Sequence, residues 1–216
     1  MLPESKDSIY TSNYCEENVY LLVQRFLAQP EINEKWGVYT VFISNRTKTV
    51  TLWQQKAATS RDQAVIWDYH VILALRGSLD NGCDQSLDEV TPARGTWIYD
   101  LDTLLPVPCY WKKYIEQTFP IHINLPDQFQ SIFRVVPGKE YLNNFASDRS
   151  HMVVSGPSHG PHYASKPPPY PCISGPLAAA NGVTHNLMSH FVEMDVDIER
   201  FGSVMDFESF LAWCSE

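Results

Sequence analysis

The chain has 216 residues, 44% of them apolar and 19% charged. That is enough to close a hydrophobic core without disulfides or metal, and too apolar for wholesale disorder. Sixteen Lys and Arg against 25 Asp and Glu give a formal net charge of −9, which argues against a nucleic-acid partner, since such binders carry a basic face. No run of about 18 apolar residues and no apolar signal core at the N-terminus are present. Neither a membrane span nor secretion is expected, and the expected location is the cytoplasm, with the nucleus also open. In a reducing compartment the cysteines Cys15, Cys83, Cys109, Cys172 and Cys214 read as free thiols, being odd in number and lacking any C-x-x-C.

The first predicted element follows Cys15. Val19, Leu22, Val23, Phe26 and Leu27 recur at i, i+3, i+4, i+7 and i+8, the pattern of a helix with one face in a core. Asn13 with Glu16 three residues on suggests a capping box at its start, and Pro30 lies just past its end. Gly37–Ser44 and Thr49–Gln54 are rich in β-branched and aromatic residues, and the polar stretch 45–48 between them predicts a hairpin. Ala64–Leu75 reads as one long buried strand, and Arg76–Gly95 as a polar loop. Thr96–Leu101 and Ser131–Val136 are further strands. From about Ser147 to Pro176 the chain is irregular, with His159-Gly-Pro-His162 and the proline run Pro167–Pro171. It predicts a surface loop, with a polyproline ligand for a partner as the alternative. Asp206–Trp213 can form a short helix burying Phe207, Phe210 and Leu211. No internal repeat is present. A helix followed by several strands predicts an α+β protein.

Cysteine chemistry needs a thiolate, a base and a group to orient the base. Cys15 falls at a helix start, where unpaired N–H groups and the dipole favour an anion. Glu16 and Glu17 oppose that effect, and a small buried apolar residue is the alternative reading of Cys15. His70 lies inside a predicted strand, with Asp68 two residues before it and so on the same face. A second strand carries Asp100 and Asp102, also two apart. A strand His beside a strand Asp would complete a Cys–His–Asp set, but chemistry alone does not choose among the three aspartates. The other histidines are His122, His151, His159, His162, His185 and His190. The pairs His159/His162 and His185/His190 fit no tight zinc spacing, and no metal or cofactor is expected.

Several strings together carry a family likeness: Tyr14-Cys-Glu-Glu-Asn18, Val41-Phe-Ile-Ser-Asn45, Val65-Ile-Trp-Asp-Tyr-His-Val71, Ile98-Tyr-Asp-Leu-Asp-Thr103, Asn144-Phe-Ala-Ser-Asp-Arg-Ser-His-Met152 and Pro167-Pro-Pro-Tyr-Pro-Cys172. From about Tyr10 to Leu211 the chain resembles the protein N-terminal glutamine amidohydrolases. It departs from them in the polar stretch Arg76–Gly95 and in Met152–Lys166. The resemblance implies a single transglutaminase-like, papain-related domain over residues 1–216, with an antiparallel sheet packed on the helix that starts at the cysteine, and a monomer. It implies Cys15 as nucleophile, His70 as base and Asp100, the first acid of Ile-Tyr-Asp-Leu-Asp, as orienting carboxylate. Asp68 and Asp102 then stand behind them. The implied reaction converts an N-terminal glutamine of a protein or peptide to glutamate and ammonia through a thioester, in the N-degron pathway. Such an enzyme must bind the free α-ammonium of its substrate, and Glu17 and Asp148 are the expected residues. A cysteine peptidase or a true transglutaminase on the same scaffold, or a non-enzymatic proline-rich module, are the rival readings.

Overall fold

A strand apolar at every position needs cover on both faces, and the computed structural model supplies it. The structure describes residues 2–5, 8–77, 95–120, 123–154, 162–195 and 200–216. The interior of the predicted loop 76–95, together with Cys83, His122 and His159, lies outside the described residues. In chain order the elements are α1 (Cys15–Leu27), α2 (Pro30–Lys35), β1 (Trp36–Ser44), β2 (Val50–Leu52), β3 (Val65–Trp67), β4 (His70–Gly77), β5 (Thr96–Tyr99), β6 (Cys109–Tyr110), α3 (Trp111–Thr118), β7 (Ile132–Pro137), α4 (Gly138–Asn144), β8 (Val153–Val154), β9 (His162–Tyr163), α5 (Pro176–Ala180), β10 (Ser203–Met205) and α6 (Phe207–Ser215), with a π-helical turn at Leu187–Val192. This is the α+β class that the order of elements predicts.

The main sheet has six strands in the order β10-β7-β1-β4-β5-β6, every neighbouring pair antiparallel. Successive residues of β4 feed opposite cores. Val71, Leu73 and Leu75 pack with α1, α4 and the π-helical turn. Ile72 and Ala74 pack with α3 and α6. That two-sided burial explains why β4 shows no polar alternation.

Three predicted details differ. β2 does not return onto β1. It pairs with β3, Thr51 opposite Ile66, while β1 runs between β4 and β7. The expected long strand 64–75 is two strands, because the chain breaks at Asp68, whose carbonyl accepts the Ser44 hydroxyl at 2.7 Å and whose carboxylate accepts the Tyr69 N–H at 2.9 Å. The predicted shared face of Asp68 and His70 is lost with it. Thirdly, the start of α1 is not closed by Asn13. That residue has a left-handed backbone, φ 65°, and the residue before the helix is Tyr14, with no side-chain cap. The Asn18 amide instead ties back to Thr11, accepting its N–H and donating to its carbonyl, both at 2.8 Å. A cap is worth about 1 kcal/mol. Burying Val19, Leu22, Val23 and Phe26, all at most 2% exposed, contributes roughly 1.5–3 kcal/mol each. The core therefore holds α1 in place, and the Asn18–Thr11 bonds stand where a cap would.

Candidate active site

His70 opens β4 and Asp100 directly follows β5, the strand paired beside it. Both side chains are wholly buried, and His70 Nε2 lies 2.9 Å from Asp100 Oδ1. Asp100 is held on every side. Its Oδ1 also accepts the Asp102 N–H at 2.8 Å, and its Oδ2 accepts the Tyr114 hydroxyl at 2.8 Å and the Gln55 amide at 3.2 Å. Burial alone would raise this carboxyl, but the charge and hydrogen bond of His70, with those from Asp102 and Gln55, hold it below its ordinary value. Burial likewise opposes protonation of His70, yet the Asp100 charge and hydrogen bond win and raise it. The second ring nitrogen, Nδ1, is buried and has no hydrogen-bond partner among the described residues. The Trp67 ring lies along the imidazole, centroids 5.3 Å apart.

Cys15 is the first residue of α1 and is 6% exposed. Its sulfur meets the start of β4, where the backbone of Val71, the residue after His70, favours the thiolate by hydrogen bonding. That help is outweighed. Burial above all, then the charges of Glu16 and Asp102, push the Cys15 thiol well above its usual range. Burial first, and then the carboxylate next in the chain, outweigh what the helix start supplies, so the opposition expected of Glu16 prevails. Glu16 is fully buried, with Oε2 3.8 Å from the Cys15 sulfur.

Asp102 follows Asp100 into the same cluster. One donor atom each of His70, Asp100 and Asp102 lies within 4.8 Å of the others. Such a trio could present ligands to a metal, but within it His70 Nε2 and Asp100 Oδ1 are already bonded to each other. Asp102 Oδ1 accepts the Tyr10 hydroxyl at 2.5 Å, so the segment before α1 covers this carboxylate. Burial raises Asp102, and the adjacent Asp100 adds to it against the pull of His70 and Tyr10.

The two carboxylates expected to bind an α-ammonium lie apart. Glu17 is buried, and its two oxygens accept Arg149 Nε and Arg149 Nη2 at 2.8 Å each. The same guanidinium donates to the carbonyls of Pro168 and Tyr170, so the proline run is strapped to the first turn of α1. Asp148, on the exposed side of that loop, accepts the Ser150 N–H at 2.9 Å and lies 3.1 Å from His185 Nδ1. Two residues to which the sequence reading gave no role meet Glu16. Tyr69 donates to Glu16 Oε2 at 3.0 Å, and His151 Nε2 lies 3.3 Å from the Tyr69 oxygen and 3.6 Å from Glu16 Oε1. His151 in turn stacks on His185, centroids 5.8 Å apart. Tyr69 adjoins His70 and His151 follows Asp148, yet no spacing rule brings them together. The imagined metal ligands do not assemble among the described residues: His190 bonds the neighbouring Ser189 hydroxyl.

These elements define an α+β protein with a cysteine at the start of a buried helix and a sequestered His–Asp pair where the adjoining strands begin and end. Comparison with known proteins gives the family. A model described as N-terminal glutamine amidase matches residues 10–214. The protein N-terminal glutamine amidohydrolase of Homo sapiens is 35% identical over 208 residues, 96% of this chain and 88% of that protein. Those of Drosophila mojavensis and Danio rerio are 42% identical over 176 residues, 80% of this chain and 75% of that protein, and 35% over 209 residues, 97% and 90% respectively. The chain belongs to the N-terminal glutamine amidase family.

Proposed function

We propose that the protein hydrolyses the side-chain amide of an N-terminal glutamine, releasing ammonia and leaving glutamate, with Cys15 as nucleophile, His70 as proton carrier and Asp100 as its orienting partner. The observation that supports this most is a histidine whose Nε2 is fixed on a buried carboxylate and whose Nδ1 has no partner among the described residues, next in the chain to Val71, whose backbone meets the sulfur of the helix-start cysteine. Family membership supplies the substrate class. The antiparallel sheet packed on α1 suits a transglutaminase-like, papain-related scaffold.

With burial, and then the Glu16 charge, holding the Cys15 thiol above its usual range, attack on the amide carbon is coupled to transfer of its proton to His70 Nδ1. Asp100 holds the tautomer that leaves Nδ1 able to accept, and it stabilises the imidazolium that forms. The Cys15 backbone N–H, at a helix start where donors lack intrahelical partners, is placed to receive the oxyanion. His70 then returns the proton to the departing ammonia. Water, deprotonated by His70, opens the γ-glutamyl thioester and restores the thiol. Asparagine is shorter by one methylene, worth about 1–3 kcal/mol in a pocket, and it also misplaces its amide relative to the sulfur.

Glu17 already has its charge paired with the Arg149 guanidinium through both oxygens, so in this reading it holds the proline segment on α1 rather than a second cation. Asp148, partly exposed, is placed to attract the substrate's cationic terminus. One domain over residues 1–216, acting as a monomer in the cytoplasm or nucleus on proteins marked for degradation by their N-termini, completes the reading. The net charge of −9 and the lack of any described helix long and apolar enough to cross a membrane fit it.

The test is ammonia release from peptides beginning with Gln, Asn and acetyl-Gln. Native protein should act on the first alone, and Cys15→Ala should abolish the reaction while the thermal unfolding transition survives. Turnover by Cys15→Ala at near the native rate would refute the assignment.

A further inference from the structure

A glutamine inside a chain and one at an N-terminus offer the same carboxamide. What differs is the α-ammonium. The α-nitrogen and the amide carbon of glutamine are four bonds apart, about 5 Å at full extension, and attack begins with sulfur and carbon about 3–3.5 Å apart. The ammonium therefore comes to rest within roughly 8 Å of the Cys15 sulfur, in a place where a buried cation needs a carboxylate.

The carboxylates around the sulfur are not equivalent. Asp100 has both oxygens engaged, by His70, Asp102, Tyr114 and Gln55. Asp102 is covered by the Tyr10 hydroxyl, and Asp68 is folded onto its own chain at Tyr69. Glu17 is closed by Arg149. Glu16 differs from all of these. It is completely buried, its Oε2 takes the Tyr69 hydroxyl and sits 3.8 Å from the sulfur, and its Oε1 has no hydrogen bond among the described residues. Among the described residues the basic side chain against that oxygen is the His151 imidazole, with Nε2 at 3.6 Å. With the Tyr69 proton committed to Glu16, His151 Nε2 is the donor to the Tyr69 oxygen, so it does not satisfy Oε1. A buried carboxylate oxygen without a donor beside a nucleophile is an incomplete site, and a primary ammonium completes it.

The geometry points to Glu16 as the receptor for the substrate's α-ammonium, through Oε1, and to that ion pair as the event that makes Cys15 a competent nucleophile. The inference rests on the amidohydrolase reading above. In the free protein the negative Glu16 opposes loss of the Cys15 proton, together with burial, Asp102 and Asp68. An ammonium on Glu16 neutralises the nearest of these charges, and the proton passes to the open Nδ1 of His70. Tyr69 and His151 position the carboxylate. Requirement for a free N-terminus and activation of the sulfur are then one step, and an internal glutamine is refused because it leaves the thiol protonated.

Glu16→Gln keeps the shape of the side chain and removes its charge. Two rates are read for each protein: ammonia release from a Gln-initiated peptide, and alkylation of Cys15 by iodoacetamide, which needs the thiolate but no ammonium. The expected result is that they move in opposite directions. For Glu16→Gln, kcat/KM falls about 100-fold or more, while alkylation at pH 7 accelerates about tenfold or more. A purely structural role slows both rates or neither, and either outcome overturns the proposal. Glu16→Asp, which retains the charge, should keep more activity than Glu16→Gln, and the reverse order also overturns it. If both variants unfold, the native protein carries the test. Methylammonium chloride should accelerate alkylation of Cys15 relative to sodium chloride at equal ionic strength, and no acceleration refutes the role of Glu16. Native protein that releases no ammonia from any Gln-initiated peptide refutes the amidohydrolase reading itself, whereas native turnover undiminished in Glu16→Gln refutes only Glu16.

Discussion

Asp100 has both carboxylate oxygens doubly hydrogen-bonded, and its partners assign its work. Four donors, from His70, Asp102, Tyr114 and Gln55, converge on its two oxygens. Asp100→Asn should lower kcat by about 10²–10⁴-fold, because an amide presents the imidazole with the wrong tautomer partner. Asp102→Asn, which keeps an acceptor for Tyr10, should lower it far less. Steady-state rates on a Gln-initiated peptide decide between the two aspartates, and a larger loss for Asp102→Asn would reverse the assignment. The same pair shapes stability. His70 is raised in the folded protein, so its contribution is complete below its unfolded value near 6.5 and is lost as pH rises through the folded value. Asp100 is lowered, so its contribution is present above about 3.9 and is lost on acidification. Urea unfolding between pH 6 and 9 should show native stability falling with pH. In Asp100→Asn the slope should reverse, since burial then disfavours the charged ring. An unchanged slope would show that the pair is not an ion pair. These residues were only partly legible in the sequence. His70, Asp100 and Asp102 are visible as chemistry-bearing types, but the choice of acid comes from a family likeness, and the Cys15 thiol is legible only as a contest between the helix start and its acidic neighbours, because the outcome depends first on how deeply the sulfur itself is buried.

At the scale of elements, α1 carries the account. Its apolar periodicity was readable because it is local. Its start was not, because the closing interactions come from Thr11 to Asn18 and from Arg149, 132 residues beyond Glu17. The predicted hairpin failed for a related reason. Both backbone edges of β1 are taken by strands distant in sequence, β4 and β7, which pair Thr40 with Leu73 and with Val136. Arg149→Met tests how far the first turn of α1 depends on its strap. Leaving Glu17 buried without a partner should cost about 3–5 kcal/mol by chemical denaturation, with loss of activity, and Glu17→Gln in the same chain should restore part of the stability. A cost below about 1 kcal/mol, the range of exposed pairs, would show that the contact does not fix the helix start.

For the whole molecule, the sheet is a partition between two cores, and the candidate site forms where α1, the beginning of β4 and the end of β5 meet at its edge. The residues gathered there come from positions 15–17, 69–70, 100–102 and 148–151, joined by bonds such as Tyr69 to Glu16 and His70 to Asp100. Separations of this size leave no periodic trace, so the class of fold was legible from composition and element order while the assembly of the site was not. The central claim is covalent catalysis at Cys15. Its most direct test is the intact mass of the protein, acid-quenched during turnover of a Gln-initiated peptide. The expected result is an adduct of the peptide mass less about 17 Da for the lost ammonia, located on Cys15 and absent in Cys15→Ala. Turnover with no adduct on Cys15, or with one on another residue, would contradict it.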